Sequence, residues 1–173
     1  MSAKVSQQAP DFSAEGLFGD EVKKVSLSDY AGKWLVLFFY PLDFSSVCPT
    51  EITSLDMSYD KFIETGTEIL SVSVDSVHSH RAWKKEIGNI RFGMLSDITK
   101  EISRNYDVLL EEKGIALRGT FIIDPQGKLR ASLVNETAIG RNIGEILRLL
   151  QACQTGDACP ADWKPGQKTL GNR

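Results

Sequence analysis

The sequence has few residues that could cross-link a fold or bind a metal. Its 173 residues include three cysteines, Cys48, Cys153 and Cys159, and two histidines, His78 and His80. An odd number of widely spaced cysteines does not suit the disulfide framework of a small secreted domain. A structural zinc site needs four ligands, usually in two close pairs. We therefore predict no metal site and no cofactor, and we interpret the lone His-Ser-His as a solvated loop or helix start.

Long apolar runs and an excess of positive charge are also missing. No run approaches the roughly 20 residues of a membrane span, and the first residues, MSAKVSQQAPDF, lack the apolar stretch of a secretory signal. We therefore expect a cytoplasmic protein that does not enter the membrane. The net charge of -3 argues against a nucleic-acid partner, because phosphate binding needs a basic surface. Apolar residues make up 42% of the chain, which suffices for one domain with its own core.

The first half of the chain predicts a strand–helix–strand unit. Residues 33–40, KWLVLFFY, form a short continuous apolar run, which suits a strand buried on both faces. Apolar residues at helical spacing from Ile52 to Phe62 predict a helix of about four turns that ends near Gly66. Residues 68–75, EILSVSVD, return to a strand pattern. Such a unit predicts two parallel strands joined by a right-handed crossover.

The second half adds further elements to this unit. We predict helices over 79–88, 99–109 and 141–153, a short extended piece over 92–97, and a hairpin whose turn is Pro125-Gln126-Gly127. The order of elements is that of an α/β thioredoxin-like fold with three α/β/α layers and with additions at the N-terminus and in the middle. We assign 1–154 to this domain. Residues 155–173 have no periodicity and predict an extended or mobile C-terminal arm.

Cys48 falls in the first turn of the helix that follows the central strand. Two cap assignments are open: Pro49 is the first helical residue and Cys48 the cap, or Ser45 is the cap. Either one places the sulfur near free backbone N–H groups and the positive end of the helix dipole. That setting favours the thiolate, which is the nucleophilic form of cysteine. The alternative is a small buried apolar residue without reactivity.

The neighbours of Cys48 narrow the chemistry. A thioredoxin-type oxidoreductase needs a second cysteine three residues away, and those positions hold Ser45 and Glu51. A cysteine hydrolase needs a histidine base, and His78 and His80 form no recognisable triad with Cys48. A single activated thiolate without a general base suits a substrate with a weak bond and a good leaving group, such as a peroxide.

Several motifs of the chain resemble one protein family. PLDFSSVCPTE at 41–51 is similar to the active-site pattern of the peroxiredoxins, and CPADWKPG at 159–166 is similar to their C-terminal motif. LRGTFIIDPQGKLR at 117–130 lies between them in the family's order. The match runs nearly end to end and resembles the typical two-cysteine group, which includes the peroxidase of the alkyl hydroperoxide reductase system and the thioredoxin peroxidases. The resemblance implies a thiol-dependent peroxidase of hydrogen peroxide and organic hydroperoxides.

The resemblance also implies a role for each matching residue in the active-site pattern. Cys48 corresponds to the peroxidatic cysteine, which becomes a sulfenic acid. Arg118 corresponds to the arginine that holds the thiolate and the developing oxygen charge, although its sequence context alone favours an exposed strand residue. Ser45 corresponds to the hydroxyl that hydrogen-bonds the peroxide, and Pro41 shields the pocket from water.

The remaining implied roles concern support, resolution and assembly. Glu51 and Arg141 resemble the pair that positions the active-site arginine. Cys159 resembles the resolving cysteine, which forms a disulfide with Cys48 of a second chain. A thioredoxin-like or flavoprotein disulfide reductase then reduces this bridge. Residues 128–134, KLRASLV, are expected to supply the edge strand of a homodimer, and the family implies a decamer made of a pentamer of dimers.

The sequence departs from the family pattern in three places. Ser45 stands where most members have threonine, which predicts weaker positioning of the peroxide. Cys153 has no counterpart, and it is either a partly buried thiol or a competitor of Cys159. Members of the family that are easily over-oxidised carry a Gly-Gly-Leu-Gly loop and a longer C-terminal helix. Residues 84–93 lack that loop and the chain continues only to Arg173, so we expect resistance to sulfinic acid formation. A redox-regulated chaperone or signalling relay on the same scaffold is the alternative function.

Overall fold

The structure, a computed structural model, describes residues 3–172. The strands are β1 (Ser13–Phe18), β2 (Glu21–Ser26), β3 (Trp34–Phe39), β4 (Thr67–Ser73), β5 (Gly93–Ser96), β6 (Leu109–Leu110), β7 (Ile115–Ala116), β8 (Arg118–Ile123) and β9 (Leu129–Asn135). The α-helices are α1 (Cys48–Met57), α2 (Tyr59–Ile63), α3 (Val77–Ile87), α4 (Glu101–Asn105) and α5 (Ile143–Thr155). Within this range no helix is long and apolar enough to cross a membrane.

Seven strands form one mixed sheet in the order β2-β1-β5-β4-β3-β8-β9, and β6 and β7 form a separate short ladder. Strands β3, β4 and β5 are parallel, whereas β8 runs antiparallel to β3 and β9 antiparallel to β8. The predicted strand–helix–strand unit is therefore confirmed as β3, α1, α2 and β4. The predicted hairpin is confirmed as β8 and β9, with Gly127 at φ 77° in its turn.

Strand β3 is buried on both faces, as its continuous apolar run predicts. One face carries Leu35, Leu37 and Phe39, and the other carries Val36 and Phe38, followed by Tyr40 just beyond the strand. The second face is covered by α1, α2, α3 and α5, and the first by α4 and the N-terminal segment. These two cores on opposite sides of one sheet give the three layers of the predicted thioredoxin-like fold.

Two predicted helices have different limits in the structure. The helix expected to run without a break to Phe62 is divided at Ser58, whose backbone (φ -97°, ψ 1°) leaves the helical region. The helix expected over 99–109 is only the five residues of α4. Lys100 and Asp107 flank it with positive φ angles of 64° and 58°, and such residues start or stop a helix.

The C-terminal residues do not form the expected extended arm. Helix α5 ends at Gly156, which takes the left-handed conformation of a helix C-cap. The Leu170 N–H donates to the Ala158 carbonyl oxygen at 2.8 Å. The Ala158 N–H donates to the Gly171 carbonyl oxygen at 3.2 Å. These bonds close the tail into a loop, and the Trp163 side chain is buried beneath it. The tail is therefore folded back and not extended, whereas the mobility expected for it stays a prediction.

Candidate active site

Cys48 is the first residue of α1 and follows the carboxyl end of β3 through the segment 41–47. Both expected cap assignments are wrong, because Val47 is the cap. Its backbone is already helical, and its carbonyl oxygen accepts the N–H groups of Thr50 at 3.1 Å and Glu51 at 3.3 Å. The Cys48 sulfur still lies in the first turn of a ten-residue helix, at the positive end of its dipole.

The Cys48 side chain is fully buried in the core between the sheet and the helices. Arg118, the first residue of β8, reaches it from 70 residues further along the chain, and its Nη1 donates to Cys48 Sγ at 3.4 Å. The same guanidinium donates from Nε to the Thr137 carbonyl oxygen at 2.8 Å. Within residues 3–172, Arg118 is the sole hydrogen-bond donor to this sulfur.

Glu51, one helical turn after Cys48, joins two arginines. Its carboxylate accepts from Arg118 Nη1 at 2.6 Å, and from Arg141 through Nε at 2.9 Å, Nη2 at 2.9 Å and the backbone N–H at 2.7 Å. Arg141 Nη1 donates to the Gly119 carbonyl oxygen at 2.7 Å, and its guanidinium lies over the Phe38 ring. All three charged side chains are 3% exposed or less. Each is therefore fixed by contacts on several sides.

The charges of this cluster do not cancel. Burial favours a neutral Glu51, but the hydrogen bonds and charge of Arg141 and the charge of Arg118 outweigh it, so the pKa of this carboxyl is lowered. Burial also lowers the pKa of Arg141, but arginine starts so high that it stays protonated. Two cations and one anion leave one positive charge uncompensated beside the Cys48 sulfur. A thiolate at Cys48 would balance it.

Ser45 and Pro41 lie in the segment 41–47 that leads to Cys48. Pro41 is buried and Ser45 is half-buried. The Ser45 hydroxyl donates to the Leu42 carbonyl oxygen at 3.0 Å, within the same segment. The structure thus brings Cys48, Arg118, Glu51 and Arg141 together, and it directs the Ser45 hydroxyl to the backbone of its own loop.

Cys159 lies at the far end of α5 from this cluster. Its Sγ is 3.8 Å from the Ala152 carbonyl oxygen and 3.5 Å from Thr155 Oγ1. The 13 residues of α5 span about 20 Å, and the cluster around Cys48 lies at its opposite end, where Arg141 just before the helix bonds Glu51. All three cysteines are free thiols. Cys153 is half-buried near the end of α5, and burial raises the pKa of its thiol.

The sequence did not indicate a second buried polar cluster, which lies beside the segment 41–47. His80 is fully buried, so its interpretation as a solvated residue is wrong, whereas His78 is exposed. His80 Nδ1 is 2.9 Å from Asp43 Oδ2, and Tyr40 donates to Asp43 Oδ1 at 2.7 Å. The spacing of Val77, His80 and Trp83 along one face of α3 is the signal that could have placed His80 inside. Across residues 3–172 no three His, Cys, Asp or Glu side chains are grouped to bind a metal.

Comparisons with known proteins show to which family the chain belongs. The model of the AhpC/TSA family matches residues 5–132, and the model of the C-terminal domain of 1-Cys peroxiredoxin matches 152–171. The chain is 49% identical to "2-Cys peroxiredoxin BAS1, chloroplastic" of Hordeum vulgare, over 96% of this chain and 84% of that protein. It is 48% identical to "Thioredoxin-dependent peroxide reductase, mitochondrial" of Drosophila melanogaster, over 95% of this chain and 74% of that protein.

A solved structure has the same fold. The reduced 2-Cys peroxiredoxin of Plasmodium vivax superimposes with a TM-score of 0.92 at 46% identity, and the match covers 95% of this chain and 91% of that one. The family model spans well over half of the chain, and the relatives match nearly all of it. The protein therefore belongs to the AhpC/TSA family, within its two-cysteine peroxiredoxins, and is a thiol-dependent peroxidase.

Proposed function

We propose that the Cys48 thiolate attacks the terminal oxygen of hydrogen peroxide or an organic hydroperoxide. A sulfur–oxygen bond forms while the oxygen–oxygen bond breaks, so the sulfur is oxidised to a sulfenic acid and the peroxide is reduced to water or an alcohol. The second oxygen leaves as an anion and takes up a proton. The observation that carries this proposal is the buried Cys48 sulfur at 3.4 Å from Arg118, beside one uncompensated positive charge.

Arg118 is the residue proposed to stabilise charge during this step. Its Nη1 faces the sulfur, and the guanidinium is held by Glu51 on one side and the Thr137 carbonyl on the other. As the oxygen–oxygen bond lengthens, negative charge moves from sulfur to the departing oxygen, and a fixed guanidinium can serve both positions. Glu51 and Arg141 act as positioning residues, because their bonds hold Arg118 at the sulfur.

Pro41 and Ser45 are proposed to shape the entrance to Cys48. Buried Pro41 keeps water away from the sulfur, since it offers no backbone N–H. The Ser45 hydroxyl can leave the Leu42 carbonyl by one rotation about χ1 and donate to a bound peroxide. Because Cys48 is fully buried in this conformation, the peroxide enters only after a small movement of the segment 41–47.

Cys159 of a second chain is proposed to resolve the sulfenic acid. Its thiol attacks the Cys48 sulfur, a disulfide forms and water leaves. The length of α5 supports a bridge between chains, because a disulfide needs its two Cα atoms within about 7 Å. The raised pKa of Cys153 supports Cys159 as the attacking thiol, since only the thiolate reacts. The first turn of α1 must unwind to bring Cys48 out of the core.

The oxidised form is proposed to be recycled by a disulfide reductase of the thioredoxin-like or flavoprotein type. The Drosophila relative is named a thioredoxin-dependent peroxide reductase, and this name supports the thioredoxin-like type. The proposed location is the cytoplasm, a reducing compartment in which all three cysteines stay free between turnovers. Relatives carry the words chloroplastic and mitochondrial in their names, so fractionation of the source cells is the direct test of this location.

The surface supports a homodimer and a decamer. Strand β9 is an edge of the seven-stranded sheet, so one side of its backbone is available to a second copy of the chain. Val134 in β9 and Ile139 just after it are about half exposed. Leu42 and Phe44 form a second exposed apolar pair on the segment before Cys48, which suits contact between dimers. Sedimentation of Val134→Lys should give monomers if β9 forms the dimer.

One experiment tests the proposed chemistry directly. Reduced protein is mixed rapidly with hydrogen peroxide, and samples are taken for non-reducing electrophoresis. Wild type and Cys153→Ser should form a disulfide-linked dimer, whereas Cys159→Ser should stop at a sulfenic acid that dimedone labels. Cys48→Ser should consume no peroxide. Peroxide consumption by Cys48→Ser at the wild-type rate would contradict the proposal. A wild-type protein that acts as a chaperone and reduces no peroxide would favour the alternative function.

A further inference from the structure

Cys153 is the cysteine to which the proposed reaction gives no role. It lies in the last turns of α5, and its half-buried side chain packs against the core that contains Ile146 and Leu150. Cys159 follows a few residues later, just beyond the helix end at Gly156. A bridge between these two thiols would close a short loop within one chain, which costs little entropy. Their positions and their reactivity decide whether such a bridge forms.

The two cysteines are neighbours in the fold as well as in the sequence. Cys159 Sγ lies 3.8 Å from the Ala152 carbonyl oxygen. That oxygen and the Cys153 Cα flank the same peptide bond and are about 3 Å apart, so the Cys159 sulfur is within about 7 Å of the Cys153 Cα. A disulfide tolerates Cα–Cα separations of up to about 7 Å. A short movement of the tail therefore brings the two sulfurs together.

The contacts that hold Cys159 in its place are weak. Its sulfur lies 3.5 Å from Thr155 Oγ1, and the carbonyl oxygens of Ala152 and Asp157 are at 3.8 and 3.9 Å. Gly156, between the helix and Cys159, has φ 72°, and a side chain there would touch nothing within 4 Å. The backbone next to Cys159 therefore has room to move. The proposed function requires such movement in any case, because Cys159 must reach a second chain.

The environment of Cys153 suits a second, slower step rather than the first. Burial raises the pKa of its thiol, with smaller effects of both signs from four neighbours: Arg130, Cys159, Arg148 and Asp124. Little of it is thiolate at neutral pH, so it competes poorly for a sulfenic acid. A thiolate of high pKa is the stronger nucleophile once it forms, and a disulfide opens most readily when the departing sulfur is stabilised as an anion.

We propose that Cys153 is a third redox residue, which releases Cys48 from the bridge between chains by forming a disulfide with Cys159 of its own chain. The proposal rests on the proposed function, since it starts from the Cys48–Cys159 bridge. The Cys153 thiolate attacks the Cys159 sulfur, so the Cys153–Cys159 bond forms, the bond to Cys48 breaks, and Cys48 leaves as a thiolate. The proton of Cys153 goes to solvent, and no further oxidant takes part. The departing thiolate returns to Arg118 and the uncompensated positive charge of its cluster, which favours this direction.

The test uses four full-length proteins: wild type, Cys153→Ser, Cys153→Ala and, as a matched control, Leu149→Ala. Leu149 packs against the same core one turn earlier in α5, so its substitution removes packing and keeps the thiol. Each reduced protein receives one equivalent of hydrogen peroxide per chain, and an alkylating reagent traps thiols at increasing times. On non-reducing electrophoresis the linked dimer of wild type and Leu149→Ala should rise and then decline to monomer, about tenfold faster than any decline in the two Cys153 variants.

Mass spectrometry identifies the bridge in the monomer that forms. No lysine or arginine lies between Cys153 and Cys159, so trypsin leaves both in one peptide. In the wild-type monomer this peptide should lack two hydrogens and carry no alkyl group, while Cys48 is alkylated. A wild-type monomer in which Cys153 is alkylated would overturn the role of Cys153. A linked dimer in Cys159→Ser that joins Cys48 to Cys153 would also overturn it, because Cys153 would then resolve the sulfenic acid itself.

The same experiment distinguishes failure of the proposed function from failure of the role of Cys153. If neither wild type nor Cys153→Ser forms the bridge between Cys48 and Cys159, the proposed function fails and the role of Cys153 fails with it. If both form the bridge and keep it equally long, only the role of Cys153 fails. If Cys153→Ser accumulates the linked dimer while wild type shows only the Cys153–Cys159 bridge, the exchange is faster than resolution and the role of Cys153 is supported.

Discussion

Glu51→Gln would remove the one negative charge from a buried cluster that holds two arginines. The carboxylate accepts four N–H groups, three from Arg141 and one from Arg118. The single oxygen of a glutamine accepts about two, and its amino group would face a guanidinium that also only donates. The substitution therefore leaves two arginine charges, buried to the same degree, without their counter-ion.

The expected cost is large for a single substitution. Removing one partner of a buried ion pair costs about 3–5 kcal/mol, because the remaining charge stays buried and unpaired. A chain of this length changes its melting temperature by about 2–4 °C per kcal/mol. We therefore expect the melting temperature of Glu51→Gln to lie about 6–20 °C below that of wild type, measured by circular dichroism on the reduced protein.

The matched control is Glu145→Gln. Glu145 also makes a bidentate pair, with Arg148 at 2.6 and 2.8 Å, but these side chains are 44% and 29% exposed. Such a surface pair contributes about 0–1 kcal/mol, so this variant should melt within about 4 °C of wild type. Equal melting temperatures for the two variants would refute the reasoning that burial makes the Glu51 cluster costly to break.

The pH dependence gives a second check on Glu51. Its pKa is lowered from the usual value of 4.5 in the folded protein, so the folded state binds its proton less readily than the unfolded state. The stability that this carboxylate contributes is complete above the unfolded pKa and is lost as the pH falls through the lower, folded pKa. The difference in melting temperature between wild type and Glu51→Gln should therefore be constant near neutral pH and shrink only below about pH 4.5. A difference that shrinks already between about pH 8 and 6 would contradict the lowered pKa.

Three further predictions concern the chemistry. Arg118→Lys loses the planar guanidinium, which donates to both Cys48 and the Thr137 carbonyl oxygen. The rate constant for oxidation of Cys48, measured by stopped flow, should therefore fall about 100-fold. Arg130→Lys, at an exposed arginine, is the control. Cys159→Ser should form no bridge between chains on non-reducing electrophoresis, whereas Cys153→Ser should keep it, and the opposite pattern would make Cys153 the resolving residue. Ser45→Thr should be oxidised faster than wild type, because the added methyl restricts the rotation of the hydroxyl; a rate at or below that of wild type would count against this.

The fold could be predicted where the pattern of apolar residues within one strand or helix determines its burial. The unbroken apolar run of β3 is what a strand covered on both faces requires, and the structure buries both faces. The helical spacing of Ile143, Ile146 and Leu150 likewise predicts the buried face of α5. In both cases the pattern of apolar residues lies within one strand or helix, so it can be read directly from the sequence.

The site was predictable only in part. The position of Cys48 at a helix start follows from its neighbours, but Arg118 looks like an exposed strand arginine in its own sequence context. What brings it to the sulfur is the antiparallel pairing of β8 with β3, a contact between distant parts of the chain. Roles were assigned to Arg118, Glu51 and Arg141 through resemblance, and those roles stay predictions.

His80 and the C-terminal tail show the same limit. Neither the short His-Ser-His nor the tail around Trp163 has a periodicity that predicts burial. His80 is buried where Asp43, 37 residues away, supplies a hydrogen-bond partner for its ring. Trp163 is buried because the tail closes on itself through single hydrogen bonds. Polar partners that meet only in the folded chain leave no pattern in the sequence.

The most direct test of the central claim, that Cys48 beside Arg118 is the reactive thiol, uses a protein in which it is the sole cysteine. Reduced Cys153→Ser/Cys159→Ser is mixed with hydrogen peroxide and dimedone, and the labelled peptide is identified by mass spectrometry while stopped flow gives the rate. We predict one sulfenic acid per chain at Cys48, formed far faster than on free cysteine, with the rate lost when Arg118→Lys is added. Oxidation of Cys48 at the rate of free cysteine, or a rate indifferent to Arg118, would contradict the claim.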